Sequence, residues 1–159
     1  MTPAEITALV TAMPGVVILT VSEADDAPEA WWGDTFFYYD PHGDQPADRR
    51  LPFATVIHHD YEGFDTDSDL NRDGVFRLNI AAGRDRFEEL LGYPPAAYAA
   101  NRDRFDYTAL DRLLPHPAYA VQGWIMILNP GERTSAQARD LLAHAHERAA
   151  RRLHSKRSK

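Results

Sequence analysis

The sequence predicts a single α+β domain: a mainly antiparallel sheet of about five strands, with N-terminal, central and C-terminal helices packed on one face. Three observations carry this. Short β-branched and aromatic runs recur at Val16–Val21, Ala30–Tyr39, Phe53–His58, Val75–Ile80 and Gly123–Leu128, each of about strand length. The helical patterns stand apart from them, at the two ends and once between the fourth and fifth runs. Strands that follow one another through turns pair antiparallel, and segregated helices then cover one face.

Taken in order, Thr2 and Glu5 make a capping box and Pro3 suits the first helical position. Ile6, Leu9, Val10 and Met13 form one apolar stripe, and Met13-Pro14-Gly15 ends it. The first two strands flank the acidic turn Ser22–Glu29 and read as a hairpin. Asp40–Leu51, with its Pro, Gly and Asp, is a loop before the third strand. Asp60–Gly74 is a long acidic connection, read as a solvated turn, before the fourth strand. A short helix over Asp85–Leu91 takes Asp85 and Glu88 as its cap. Ala96–Pro117 reads as one or two helical turns around Tyr98 and Leu110–Leu114. After the fifth strand, Thr134 and Gln137 make a second capping box, and Ala138, Leu141, Leu142, Ala145 and Ala149 form the buried stripe of the last helix. The domain spans residues 1–153, and 154–159 form a basic tail outside it.

Composition excludes several classes. With no cysteine, a disulfide framework, a zinc ribbon and a thiol nucleophile are ruled out, and a cytoplasmic location is expected. No apolar run approaches a membrane span, and the start lacks the basic flank of a secretion signal. The net charge is −7, but six of the 17 basic side chains fall in the last twelve residues, leaving 11 against 24 acidic ones in the rest, a net of −13. Such a body repels phosphate backbones, which argues against a nucleic-acid partner. The basic end reads as a complement to the dipole of the last helix.

No motif supplies chemistry. Asp69-Leu70-Asn71-Arg72-Asp73-Gly74 matches the first half of a calcium-binding EF-hand loop, but Ile80 stands where its bidentate Glu belongs. His58 and His59 are adjacent on a strand and point apart, and His144 and His146 diverge around a helix, Asp140 being the nearer partner of His144. Serines sit only in turns, caps and the tail. No metal, cofactor or catalytic residue is expected, and the protein reads first as a non-enzymatic binding or interaction domain.

The rival reading comes from strand alternation. Arg77 and Asn79 share one face of the fourth strand, Trp32 and Asp34 one face of the second, and His59 shares a face with Thr55. Charged and amide side chains in mid-strand need partners or water. An Asp34–Arg77 ion pair is therefore expected. If the faces coincide, Trp32, Asp34, His59, Arg77 and Asn79 make a candidate ligand-binding set. Pro115-His116-Pro117 and Asn129-Pro130-Gly131 read as turns whose His and Asn bond to backbone.

Four blocks, Trp32–Tyr39, Gly74–Ile80, Pro115-His116-Pro117-Ala118-Tyr119, and Gly123-Trp124 with Asn129-Pro130-Gly131, resemble the bacterial domain-of-unknown-function family 6194. The resemblance runs in order over about Pro14–Arg148 and implies no catalytic residue. More distantly, the run from Val75 onward is similar to the MmcQ/YjbR group. That likeness implies an α+β fold and the nucleic-acid role suggested for the group.

Overall fold

The computed structural model describes residues 1–159. Helix α1 (Pro3–Thr11) starts where expected, with Thr2 Oγ1 accepting the Glu5 N–H at 3.1 Å, and it buries Ile6 and Val10. Strands β1 (Val16–Thr20) and β2 (Thr35–Tyr39) form the hairpin, in register from Val16 opposite Tyr39 to Thr20 opposite Thr35. β3 (Ala54–Ile57), β4 (Arg77–Ala81), a short β5 (Leu113–Pro115) and β6 (Trp124–Leu128) complete a six-stranded sheet in the order β1-β2-β3-β4-β6-β5. Every neighbouring pair is antiparallel. The fold is α+β. No helix is long and apolar enough to cross a membrane.

Helices α2 (Arg84–Leu91), α3 (Tyr98–Asn101) and α4 (Ser135–Arg157) follow. Alternation sorts the strands into two faces. Phe37, Ala54, Val56, Leu78, Ile80, Ile125 and Ile127 pack with Ile6, Val10, Phe87, Leu141 and Leu142 into the main core under the helices. The second face carries a smaller cluster, Ile57, Leu114, Met126 and Leu128, closed by Leu70 from the acidic connection.

Several expectations are corrected. Leu113–Pro115 is an edge strand rather than part of a helical turn, because Asp111 is left-handed (φ 52°) and turns the chain onto β6. An edge position also tolerates Pro115, which has no N–H to give. β2 begins at Thr35 and not near Ala30: Glu29–Trp31 form a 3-10 turn and Trp32 Nε1 donates to Ala27 O. Gly83, at φ 85°, opens α2 in place of Asp85. The start of α4 is capped from a distance. Asp111 accepts the backbone N–H groups of Gly131, Arg133 and Thr134 and the Thr134 hydroxyl, so Gln137 is not needed. Burial raises the Asp111 pKa and these hydrogen bonds outweigh it, holding it at about 2. His144 meets Ala82 O, and Asp140 meets Arg86 instead. The helix runs on through Arg157, which pairs with Asp44, so residues 154–157 are its last turn.

Candidate functional site

β4 aims Arg77, Asn79 and Ala81 at the second face, opposite Ile57, Thr55 and Trp124 on the flanking strands. Arg77 and Asn79 are buried, at 1% and 2% exposure. The carboxylate that meets Arg77 is Asp65, not Asp34. Arg77 Nη1 donates to Asp65 Oδ1 at 3.0 Å and to Ser68 Oγ at 3.0 Å, and Nη2 donates to Asp65 Oδ2. This is the two-pronged geometry that suits a guanidinium to a carboxylate. Asp65 can reach because the acidic connection, though mostly exposed, folds back at three points: Tyr61 and Asp65 exchange backbone hydrogen bonds of 2.9 and 2.8 Å, and Asp65, Ser68 and Leu70 are buried against the sheet. Three other acids of the loop have separate partners, Asp60 with the Leu70 N–H, Asp67 with Arg102 and Asp69 with Arg72.

His116 stands beside this pair. Its Nδ1 accepts the Ala118 and Tyr119 N–H groups at 3.0 and 3.1 Å, so the single proton of the neutral ring sits on Nε2. Burial, then the charge of Arg77, lowers its pKa to about 3 against the pull of Asp65. Nε2 lies 3.5 Å from Arg77 Nη2. Both are donors, so neither satisfies the other.

Asn79 donates from Nδ2 to Thr55 Oγ1 at 3.0 Å, while its Oδ1 has no partner. Whichever way the amide is turned, Thr55 serves one end and nothing serves the other. Arg77 Nε is likewise without a partner. Each orphaned buried polar atom costs about 1–3 kcal/mol.

Arg77 and Asn79 lie on the floor of a cavity of about 650 Å³. It runs from the Arg77–Asp65 pair to the strand ends at Tyr39, Phe53, Ala81 and Trp124. Phe36, Tyr61, Phe64 and Tyr119 supply aromatic walls, and Leu51 and Phe64 stand largely exposed at its rim. The C-terminal half of α4 forms one side with Ala145, Arg148, Ala149, Arg152, Leu153 and Lys156. Arg148 Nη1 donates to Ala81 O at 2.9 Å, and its guanidinium lies across Gly83, where a Cβ would come within 2.4 Å of Cζ. A side chain at position 83 would displace it.

The other expected site residues sit elsewhere. Asp34 is on the same side of the sheet but stands behind the cavity wall. It accepts the His58 N–H at 2.7 Å and the Tyr61 hydroxyl at 2.6 Å, and so fixes the ring of Tyr61. Burial raises the Asp34 pKa against those two hydrogen bonds, and burial and then Asp34 push the Tyr61 phenol well above its usual range. Trp32 is tied to Ala27 O and does not line the cavity. β3 ends at Ile57, so alternation does not reach His59, which lines a separate, shallower depression with Met1 and Asn71.

A family model, the family of unknown function DUF6194, matches residues 1–158. The chain belongs to that family. No curated protein and no solved structure matches it. In this DUF6194 chain, the sequence blocks that carry the resemblance supply β2, β4, the His116 turn and the start of β6, which are the floor and back wall of the cavity.

Asp65, Tyr61 and the α4 cations were not picked out by sequence reasoning. Asp65 is one acid among many in its loop. Arg148, Arg152 and Lys156 do carry a signal: spacing of four puts them on one side of a helix, beside Ala145, Ala149 and Leu153.

Proposed function

We propose that this protein is a small-molecule-binding domain whose site is the cavity on the second face of the sheet. The observation that carries the reading is the cavity itself, about 650 Å³, in which the polar residues Arg77, Asn79 and His116 stand among aromatic walls. Arg77 Nε and one end of the Asn79 amide have no partner in the protein and are closed to water, so a ligand would engage them by turning these side chains toward the cavity they line. The volume falls within the roughly 300–1,000 Å³ of typical ligand sites, and aromatic walls around a few fixed polar groups are their usual make-up. An interaction module built on this sheet would present a filled, flat face, and this face is hollow.

Binding is favoured over catalysis. The lining holds no serine or cysteine, and its one carboxylate, Asp65, is engaged by Arg77. A nucleic-acid role of the kind suggested for the MmcQ/YjbR group has less support, since the basic side chains of α4 face a cavity and the rest of the chain is acidic.

The test is a thermal-shift screen of small metabolites on the wild type and on Ala149→Trp, which fills the mouth from a half-buried helix position. A compound at about 100 times its Kd stabilises by about 2.7 kcal/mol, or roughly 5–10 °C for a domain of this size. The reading expects such shifts in the wild type and their loss in Ala149→Trp. Equal shifts in both proteins, or shifts in neither, would contradict it.

A further inference from the structure

The charges around the cavity run against those of the chain. The protein is −7 overall, yet the only acid in the lining is neutralised by Arg77, and the charges left over are Arg49, Arg148, Arg152 and Lys156. None of the four forms an ion pair. Arg157 at the same helix end takes Asp44, but the cations that face the cavity form no ion pair, and only Arg148 has an acid, Asp85, near enough to offset part of its charge. Arg148 is fixed by Ala81 O and seated on Gly83, which holds its charge at the mouth. Burial, then repulsion from Arg152 and Arg151, lowers its pKa. Arg148 is half-buried and Arg49, Arg152 and Lys156 are exposed around it, and like charges gathered on a concave wall focus a positive potential into it. Gathering them costs free energy that an incoming anion would recover.

The wall adjoining these cations is aromatic, with Tyr39 and Trp124 at the strand ends and Phe36 behind them. The two surfaces together select for a molecule with two parts. We infer that the cavity takes an organic anion, with a flat ring system against the aromatic wall and an anionic group against Arg148, Arg152 and Lys156. This rests on the cavity being the binding site, as proposed above.

Two dyes with one ring system test this: anilinonaphthalene sulfonate and its uncharged counterpart N-phenylnaphthylamine. Both are titrated by fluorescence into the wild type, the double variant Arg152→Ala/Lys156→Ala, and Ala149→Trp, each first shown to melt cooperatively near the wild-type temperature. Both substituted cations are exposed, so the double variant should fold. The sulfonate should bind the wild type about tenfold or more tighter than the uncharged dye, a difference worth about 1.4 kcal/mol. The double variant should lose that advantage while keeping its affinity for the uncharged dye, and Ala149→Trp should weaken both. If the two dyes bind alike, the double variant changes neither and Ala149→Trp weakens both, the cavity binds rings and the anion inference is overturned. If Ala149→Trp weakens neither dye, or the wild type binds neither, the cavity reading fails with it.

Discussion

On the helix-covered face of the sheet, Phe37, Leu78, Ile80, Ile125 and Ile127 are fully buried and carry no polar side-chain atom. On the opposite face neighbouring strands bury Thr55, Arg77 and Asn79 nearly as deeply, and leave two of their atoms without partners. Apolar burial stabilises by roughly 25 cal/mol per Å² whatever lies opposite. Polar burial contributes only when every group is satisfied. The first face is therefore what a stable fold requires. The second face spends burial on polar groups that stability alone does not call for, which is why the proposed site is placed there.

Substitutions can break this comparison, and the largest effect should come from the charge pair. Asp65→Ala leaves Arg77 buried without its counter-charge, and a loss of about 3–5 kcal/mol is expected in urea unfolding. A loss below about 1 kcal/mol would mean that the pair is in contact with water. Next, Leu141→Ala on the helix-covered face opens a cavity in the main core and should cost about 2–5 kcal/mol, with no effect on dye binding.

The pH dependence sharpens the comparison at a single residue. The folded pKa of His116, about 3, lies below its unfolded value of 6.5. Between those two values the unfolded chain binds a proton that the folded chain refuses, so stability falls as pH drops through that window. The slope expected from this one ring is about 1.4 kcal/mol per pH unit. His116→Asn keeps an acceptor for the Ala118 and Tyr119 N–H groups and has no proton to gain. The difference between the two proteins, measured from pH 6.5 down to 5, isolates His116 from Arg77, Asp65 and the other groups around it. Identical slopes would show that the ring is not held neutral. The smallest effect belongs to the helix end: Arg157→Ala removes an exposed ion pair with Asp44 and should change stability by no more than about 1 kcal/mol.

Much of the fold was legible because local physics fixed it. The capping Thr2, the Pro14-Gly15 stop and the β-branched runs each specify an element without help from the rest of the chain. Leu113–Pro115 was not legible, since its strand exists only because β6 offers an edge. At the site, alternation along β4 was enough to bring Arg77 and Asn79 to one face. It could not name the counterion: Asp34 and Asp65 are both acids near that face, and only the path of the acidic loop decides between them. Trp32 and His59 were expected in the set through a strand period that stops before it reaches them. The α4 cations were visible as charge, but a helix dipole accounts for such charge equally well until the cavity beside it is seen.

The central claim is that polar atoms are kept on the cavity floor for a ligand and not for stability, and the double variant Thr55→Val/Asn79→Leu tests it most directly. It replaces the neutral hydrogen-bonded pair on the floor, Thr55 and Asn79, by apolar groups of similar shape and removes the unpartnered Asn79 Oδ1, leaving the Arg77–Asp65 pair in place. Replacing both partners in this way is close to neutral when nothing else depends on them. Urea unfolding should find the variant as stable as the wild type or more so, while the ligand-induced thermal shift disappears. A loss of more than about 2 kcal/mol, with the shift intact, would show that Asn79 holds the sheet together and that the cavity floor is structural.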